Sequence, residues 1–393
     1  MPTHYDVVIA GGGVVGCAAA LALANLSSLK IAVVESHPPS ASGTHPSFDA
    51  RVIALAQSSL SHLGSWKFNH GAISGAPIQR IHVSDRKHSG QTVLDATDAN
   101  VDMLGKVVRL EELGLSLYEA LQSTDVDYFT PESISAVTNH ADCIVLSTEA
   151  REIECKLLVI AEGADSNTRA LAGIQCLTDD YQQTAIISNV STQLAHENCA
   201  YERFTKHGPL AFLPMFTDDK KYAGTLMSVV WTCSNSQLAE IMSLSDEAFL
   251  RRLNGMFGNR LGRLTTTTAR QSYPLMLKQS EFFVSHRCIC IGNAAQSLHP
   301  IAGQGFNLAV RDVNDLVTAL KDASDAGSFA TTQQYRKARE KDKLAVVGAT
   351  NLLVRGFSNH YLPFVIGRNK ALSALNFVGP LKNKLTQFAM GQR

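Results

Sequence analysis

The chain has 393 residues, which is long enough for two or three domains around a large buried core. Its 35 basic and 35 acidic residues give a formal net charge of zero, so the composition offers no electrostatic basis for binding nucleic acid. The eight cysteines lack the spacing of metal ligands, which predicts reduced thiols in a cytoplasmic protein without a metal site. No apolar run is long enough to span a bilayer, and no basic leader precedes the first strand pattern.

The start of the chain predicts a strand–helix–strand unit. Residues 5–10 and 30–35 have the composition of buried strands, and residues 17–26, rich in Ala and Leu, favour a helix between them. Such a unit implies a parallel sheet. A helical pattern resumes over residues 52–63, and a further helix is predicted over residues 111–122.

The middle of the chain has a different pattern. Strand-like segments follow one another without the helix-after-strand rhythm at residues 78–84, 92–94, 184–191, 211–215 and 225–232. This arrangement predicts a separate and more antiparallel sheet. Residues 144–148 are predicted to pair with residues 153–160 as a hairpin.

The helical pattern returns towards the end of the chain. A helix is predicted over residues 246–257, and another after Leu308. Residues 344–393 predict further helices, which we expect to break at Pro363 and Pro380.

A glycine-rich turn joins the first strand to the first helix. Its sequence, Gly11-Gly12-Gly13-Val14-Val15-Gly16, matches the GxGxxG pattern. Gly11 permits the tight turn, Gly13 lets the backbone approach a pyrophosphate, and Gly16 lets the helix pack closely on the strand. Glu35 ends the second strand, where a carboxylate can accept hydrogen bonds from an adenosine ribose. The turn therefore predicts a dinucleotide site and leaves NAD and FAD both open.

Two later segments resemble those of one family that shares this turn. They are Leu157-Leu158-Val159-Ile160-Ala161-Glu162-Gly163-Ala164-Asp165-Ser166-Asn167-Thr168-Arg169 and residues 292–312, GNAAQSLHPIAGQGFNLAVRD. In this order the three segments resemble the fingerprints of single-component FAD-dependent aromatic hydroxylases, the para-hydroxybenzoate hydroxylase superfamily. Residues 48–55, 202–211 and 365–369 are similar to its ubiquinone-biosynthesis branch, and the resemblance covers essentially the whole chain.

The chain departs from the wider superfamily at three positions. Glu162 and Asn293 stand where Asp is usual, and Gln296 replaces a common His. Each replacement can still form hydrogen bonds, so we expect FAD binding to be kept.

The resemblance implies an α/β fold. A Rossmann-like FAD-binding domain with a parallel sheet would carry an inserted, mostly antiparallel β-sheet substrate domain, followed by C-terminal helices. We predict residues 1–72, 101–176 and 283–343 for the discontinuous FAD-binding domain, residues 73–100 and 177–282 for the substrate domain, and residues 344–393 for the helical region.

The resemblance also implies which residues hold FAD. The predicted cofactor-binding residues are Gly11, Gly13, Gly16, Glu35, Arg51, Arg109, Glu162, Gly163, Gly292, Asn293, Gly303, Gly305 and Asn307. Asn293 would hold the ribityl hydroxyls, and residues 303–307 would present backbone N–H groups to the flavin N1/O2 edge. Reduced flavin is negatively charged at this edge, which a helix N-terminus stabilises.

For three of four further side chains the sequence leaves an alternative open. Arg51 is predicted to lie near the flavin, with a surface ion pair as the alternative, and Arg109 is expected at the FAD phosphates. Arg169 could serve FAD and the nicotinamide donor, or form a salt bridge at a helix start. His299 lies beside Pro300 in the predicted site, where it could act as a general base or simply be hydrogen-bonded.

The implied reaction is the hydroxylation of an aromatic ring. NADPH or NADH reduces FAD, O2 adds at flavin C4a, and the hydroperoxide transfers oxygen to an electron-rich phenol. The chain is most similar to the group acting on 2-octaprenyl-6-methoxyphenol. Another ring position, as in 2-octaprenylphenol hydroxylation, and a non-catalytic flavin-binding scaffold are the alternatives. A polyprenyl-phenol substrate implies peripheral membrane contact, and a homo-oligomer or association with other ubiquinone-biosynthesis proteins is compatible with the sequence.

Overall fold

The computed structural model describes residues 3–38, 51–298, 303–357, 367, 369–370, 372, 374 and 376–392. Its strands are β1 (Thr3–Ala10), β2 (Ile31–Val34), β3 (Val52–Ala56), β4 (Gly75–Ile78), β5 (Arg80–Asp85), β6 (Gln91–Asp95), β7 (Gly105–Arg109), β8 (Asp127–Phe129), β9 (Ala136–Asn139), β10 (Ile144–Ser147), β11 (Glu152–Ile160), β12 (Cys176–Thr192), β13 (Cys199–Thr205), β14 (Gly208–Pro214), β15 (Leu226–Ser234), β16 (Leu264–Thr267), β17 (Gln271–Ser280), β18 (Val284–Ser285), β19 (Cys288–Cys290) and β20 (Gln296–Ser297). Its α-helices are α1 (Val14–Leu26), α2 (Gln57–Ser65), α3 (Leu110–Leu121), α4 (Asn167–Leu171), α5 (Asn235–Met242), α6 (Asp246–Phe257), α7 (Gln304–Leu320), α8 (Phe329–Phe357) and α9 (Gly379–Ala389).

The first sheet has a parallel centre. Its order is β18-β19-β11-β1-β2-β8, and the four pairs from β19 to β8 are parallel. Strand β1 is buried on both faces, because Val7 and Ile9 belong to one apolar cluster while Val8 and Ala10 belong to another. The predicted hairpin is confirmed, since β10 pairs antiparallel with β11.

The second sheet has nine strands and is mostly antiparallel. Eight of them follow the order β20-β17-β12-β15-β14-β13-β5-β6, in which only the β13–β5 pair is parallel, and the ninth, β16, pairs antiparallel with β12. The α/β fold class, with a parallel sheet and a mostly antiparallel one, is therefore confirmed.

The third sheet corrects one prediction from the sequence. Residues 52–63 are not one helix, because β3 occupies residues Val52–Ala56 and α2 starts at Gln57. Strand β3 pairs antiparallel with β7, and β4 pairs with the other side of β7. The ladder with β7 supplies hydrogen bonds that a local pattern of apolar residues cannot reveal.

The end of the chain corrects a second prediction. Pro380 does not break a helix but lies in the first turn of α9, where the missing N–H has no intrahelical partner to lose. Pro363 lies outside the described residues. Among the helices in the described part of the chain, none combines the length and the apolar character needed to cross a bilayer.

Candidate active site

The glycine turn after β1 is sterically closed on several sides. Gly11 has φ +100°, a left-handed conformation that favours glycine. A Cβ on Gly16 would lie 1.8 Å from the carbonyl oxygen of Gly11. A Cβ on Gly12 would lie 1.9 Å from Oη of Tyr128, a residue of β8. The turn therefore needs glycine at Gly12 as well, a requirement that the GxGxxG pattern does not contain.

The turn presents free backbone donors to a ligand. Gly13 is the N-cap of α1, and neither a side-chain cap nor an acidic residue occupies the first turn of this helix. The first N–H groups of a helix have no intrahelical acceptor and carry part of a positive charge. An anion such as a pyrophosphate fits this helix end.

Glu35 lies beside the turn with a buried carboxylate that is 6% exposed. Its Oε2 accepts a hydrogen bond from the backbone N–H of Gly12 at 2.5 Å, and Oε1 accepts from that of His37 at 2.8 Å. Ser36 Oγ also donates to Oε1 at 3.2 Å, so the carboxylate joins the glycine turn to the loop that follows β2.

Glu35, Gly11 and Gly13 line one cavity of about 310 Å³. The remaining lining residues are Val34, Ser36, His37, Glu132, Ser133, Ile134, Ala161, Glu162, Asp165, Ser166 and Asn167. Of these, Ser36, His37 and residues 132–134 were not predicted. Ser36 and His37 directly follow Glu35 at the end of β2, whereas residues 132–134 reach the turn because β8 pairs with β2, a long-range contact without a local sequence signal. The cavity, the free helix end and the buried carboxylate fit the adenosine and pyrophosphate half of FAD.

Glu35→Ala is expected to raise the dissociation constant for FAD about tenfold to hundredfold, because charged hydrogen bonds contribute about 1.5–3 kcal/mol. Glu35→Gln keeps the shape and should lose less. The measurement is a fluorescence titration of the apoprotein with FAD, with the exposed Glu149→Ala as control. An unchanged constant in Glu35→Ala would remove Glu35 from the ribose role.

The acidic residue of the second segment, Glu162, forms hydrogen bonds within the protein. The Glu162 carboxylate accepts hydrogen bonds from the Thr168 N–H at 2.9 Å, from Thr168 Oγ1 at 2.6 Å and from Ser166 Oγ at 2.6 Å. Glu162 therefore holds the start of α4 while it lines the cavity. Gly163 follows at φ +87°.

Arg169 ties the second segment to the third. Its buried guanidinium donates to the carbonyl oxygens of Ala164 at 2.9 Å and Ala294 at 3.0 Å. Both contacts are to backbone oxygens, so Arg169 positions two loops rather than forming the salt bridge that the sequence left open.

The third segment begins with a tight turn. Gly292 has φ +58°, and its N–H donates to Oδ2 of Asp312 in α7 at 2.9 Å. Asp312 is fully buried. Asn293 is exposed beside this turn, and its contact with a ribityl chain stays a prediction.

Among the described residues, no side chain caps the N-terminus of α7. Gly303, at φ +60°, is its N-cap without a side-chain cap, and the first turn contains no acidic residue. A Cβ on Gly305 would meet open space. This end has room and backbone donors for a flavin edge.

Asn307 is satisfied by the protein itself. Its Oδ1 accepts from the Ala56 N–H and from Ser59 Oγ, both at 2.8 Å. Its Nδ2 donates to the carbonyls of Ala54 and Gly303, both at 2.9 Å. All four hydrogen bonds of the amide are made, so the side chain fixes the start of α7 against β3 and α2.

The two predicted arginines do not line the 310 Å³ cavity. The guanidinium of Arg51, the residue before β3, lies 5.1 Å from the centre of the Tyr273 ring in β17. Arg109 is exposed and lines a second cavity of about 100 Å³ with Val52, Glu112 and Phe216, among others. His299 and Pro300 lie outside the described residues.

Comparison with known protein families identifies the cofactor that this arrangement of residues suits. Residues 4–349 match the family whose model is described as FAD binding domain. The chain belongs to this family. FAD is accordingly its cofactor, and the glycine turn, Glu35 and the N-termini of α1 and α7 are the parts of the fold that suit it.

Full-length relatives place the chain within the family. It is 33% identical to an uncharacterised protein of Synechocystis sp., covering 99% of this chain and 93% of the relative. It is 32% identical to the ubiquinone hydroxylase UbiL of Rhodospirillum rubrum, covering 98% and 89%. It is 29% identical to 3-demethoxyubiquinol 3-hydroxylase of Escherichia coli, covering 98% of both chains. The protein is an FAD-dependent monooxygenase, an enzyme that also uses NAD(P)H and O2.

Solved structures share the fold. The p-nitrophenol 4-monooxygenase PnpA of Pseudomonas putida superposes with a TM-score of 0.77 at 17% identity, covering 100% of both chains. The Diels-Alderase PyrE3 superposes with a TM-score of 0.71 at 17% identity, covering 99% of this chain and 80% of PyrE3. One fold thus carries different chemistries, so the substrate has to be argued from elsewhere.

Proposed function

We propose that this protein hydroxylates the aromatic ring of a polyprenylated phenol in ubiquinone biosynthesis. The observation that carries the proposal is the 32% identity to a ubiquinone hydroxylase over 98% of the chain. 2-Octaprenyl-6-methoxyphenol is the substrate we put first. The relationship to 3-demethoxyubiquinol 3-hydroxylase supports a different ring position as the second candidate.

We assign the binding of FAD to three parts of the chain. The free N–H groups of α1 would bind the pyrophosphate, and Glu35 would accept from the ribose. The N-terminus of α7, with Gly303 and Gly305, would face the flavin, where its partial positive charge favours the reduced, anionic form. FAD supplies the redox chemistry with NAD(P)H and O2.

The protein side chains assigned here bind and orient rather than transfer protons. Glu162, Arg169 and Asn307 form their hydrogen bonds with the loops that would surround the cofactor. Such fixed loops keep the cofactor in one orientation, which saves the entropy of ordering it during the reaction. His299 remains our candidate for a general base towards the phenol, and Pro300 for packing near the ring.

The proposal predicts a dependence on the length of the prenyl tail. Burial of each CH2 group contributes about 0.8 kcal/mol, so kcat/KM for a methoxyphenol head group should fall at least tenfold when a long tail is cut to one isoprene unit. Substrate-stimulated NAD(P)H oxidation measures this, and mass spectrometry with NMR identifies the hydroxylated position.

Hydroxybenzoate, a phenol without a prenyl tail, is the control substrate for the effect of tail length. Equal turnover of hydroxybenzoate and of all tail lengths would reject the prenyl-phenol assignment and leave the monooxygenase assignment intact. If the product is hydroxylated at a ring position other than the one expected for 2-octaprenyl-6-methoxyphenol, the second candidate is favoured.

A further inference from the structure

The carbonyl of Gly12 lies just before the hydrogen bonds of α1 begin. The first carbonyl of that series belongs to Gly13, which accepts from the Cys17 N–H at 2.9 Å. Gly12 is buried and lies one residue earlier, outside the pattern of bonds four residues apart that a helix supplies. A buried carbonyl in this position needs a donor from elsewhere in the protein.

Two side chains supply donors to this carbonyl. Oη of Tyr128 donates to the Gly12 oxygen at 3.2 Å, and Sγ of Cys17 donates to it at 3.0 Å. The oxygen has two lone pairs, so it can accept both hydrogen bonds together. Tyr128 lies in β8 and Cys17 in α1, and the GxGxxG pattern contains neither of them.

Both donors keep their protons at neutral pH. Cys17 is fully buried, and this burial, together with the negative charge of Glu35, raises the pKa of its thiol to about 12. Burial also raises the pKa of the Tyr128 phenol above its ordinary value. The thiol and the phenol therefore both remain donors throughout the neutral range.

The ring of Tyr128 is held in place by its neighbours. Its strand pairs parallel with β2, where Tyr128 lies opposite Val33. The ring of Tyr118, in α3, packs edge-on against it with 5.2 Å between the ring centres. Packing of the ring therefore sets the position of the hydroxyl beside Gly12.

A fixed Gly12 carbonyl also fixes the next N–H group along the chain. The peptide bond between Gly12 and Gly13 is trans, so the Gly12 carbonyl and the Gly13 N–H point in opposite directions. The carbonyl points to Tyr128 and Cys17, whereas Gly13 lines the 310 Å³ cavity. Glu35 holds the preceding peptide in the same way, through the Gly12 N–H. Both peptides that flank Gly12 are thus held by side chains.

We propose that Tyr128 is a positioning residue for FAD, which together with Cys17 aims the Gly13 N–H at the pyrophosphate. The proposal deepens the proposed function and rests on its assignment of the pyrophosphate to the start of α1. Backbone N–H groups bind a phosphate when they point at it. A peptide that is already oriented loses less conformational freedom when the ligand binds, so affinity rises.

The test is calorimetric titration of the apoprotein with FAD and with ADP, which carries the adenosine and both phosphates of FAD but no flavin. Tyr128→Phe removes the hydroxyl and keeps the ring. It should raise both dissociation constants by the same factor, about threefold to tenfold, the contribution of one hydrogen bond.

Two double variants examine the second donor. Tyr128→Phe/Cys17→Ala should raise both dissociation constants further, because the Gly12 carbonyl then lacks both side-chain donors. Tyr128→Phe/Cys17→Ser should bind FAD and ADP more tightly than this variant, because a serine hydroxyl can donate to the same carbonyl.

Tyr5→Phe is the matched control. The Tyr5 hydroxyl donates at 2.7 Å to Asp127, the neighbour of Tyr128 in β8, so this variant also removes one tyrosine hydrogen bond to that strand. It leaves the bonds to Gly12 in place. Both dissociation constants should stay within about twofold, even if urea unfolding shows a lower stability of the apoprotein.

The role of Tyr128 is overturned if Tyr128→Phe leaves both constants unchanged, or if Tyr5→Phe raises them equally. It is also overturned if Tyr128→Phe weakens the binding of FAD but not that of ADP, because the hydroxyl then acts on the flavin half. If ADP does not displace FAD from the unmodified protein, the pyrophosphate assignment itself fails, and the role of Tyr128 with it. None of these readouts uses turnover, so the proposed substrate is tested separately.

Discussion

Arg339→Leu is expected to lower the free energy of unfolding by about 3–5 kcal/mol, because it leaves buried carboxylates without their cation. Arg339 is fully buried between α7 and α8. Its Nε donates to Asp312 at 2.7 Å, and its Nη1 donates to Asp315 at 3.2 Å and also to Asp342. Arg311 stays 2.9 Å from Asp342, and Lys343 stays 4.0 Å from Asp312, so the loss falls mainly on the hydrogen bonds to Asp312 and Asp315.

Arg336→Leu is the control for this experiment. Arg336 lies in the same helix, has a side chain that is 42% exposed and forms a 3.8 Å pair with Glu340, so its loss should change stability by less than about 0.5 kcal/mol. Urea unfolding of both variants without FAD gives the comparison. A loss of less than about 1 kcal/mol in Arg339→Leu would show that the cluster contributes little beyond packing.

The same cluster connects stability to the cofactor site. Asp312 accepts from Arg339 with one carboxylate oxygen and from the Gly292 N–H with the other. A displaced Asp312 would therefore loosen the turn that leads to Asn293. We expect Arg339→Leu to weaken FAD binding in addition to lowering the stability of the apoprotein.

Gly12→Ala is expected to raise the dissociation constant for FAD about tenfold to hundredfold, since overpacking of a closed turn costs about 1–3 kcal/mol. The new Cβ would lie 1.9 Å from Oη and 2.7 Å from Cζ of Tyr128. The Tyr128 ring is rigid and partly buried against the turn, so the loop has to move. FAD titration of the purified apoprotein measures the effect.

A second substitution separates this clash from a general loss of folding. Tyr128→Ala removes the atoms that the new Cβ meets, so Gly12→Ala/Tyr128→Ala should regain FAD affinity over Gly12→Ala. Gly16→Ala should not be rescued in this way, because its Cβ meets the backbone oxygen of Gly11. Gly255→Ala in α6, where a Cβ meets nothing within 4 Å, is the control and should be neutral or slightly stabilising. Absence of any rescue would assign the effect of Gly12→Ala to the backbone instead.

Elements with strong local signals follow from the sequence. Residues 246–257 are predicted as a helix and form α6 with the same bounds, because Ser245 caps its start with a hydrogen bond from the Ala248 N–H at 3.3 Å. Gly258 ends it at φ +93°. Residues 52–56 have no comparable residues that mark the start and the end of an element. Their pairing with β7 makes them a strand. Pro380 is ambiguous in the sequence, since proline both breaks a helix and suits its first turn.

By itself the sequence determined the FAD family, through three segments whose order resembles that of FAD-dependent aromatic hydroxylases. The glycine turn alone, a local requirement of the backbone at a phosphate, left NAD and FAD both open. Only the tertiary structure decided how the polar residues of the site are used. Glu162 caps α4, Asn307 fixes α7 to β3, and Arg169 reaches Ala294, which is 125 positions away in the chain. A carboxylate, amide or guanidinium can bind a ligand or the protein equally well. Which of the two it does depends on atoms that only folding brings within 3 Å, and no spacing of residues along the chain records that choice.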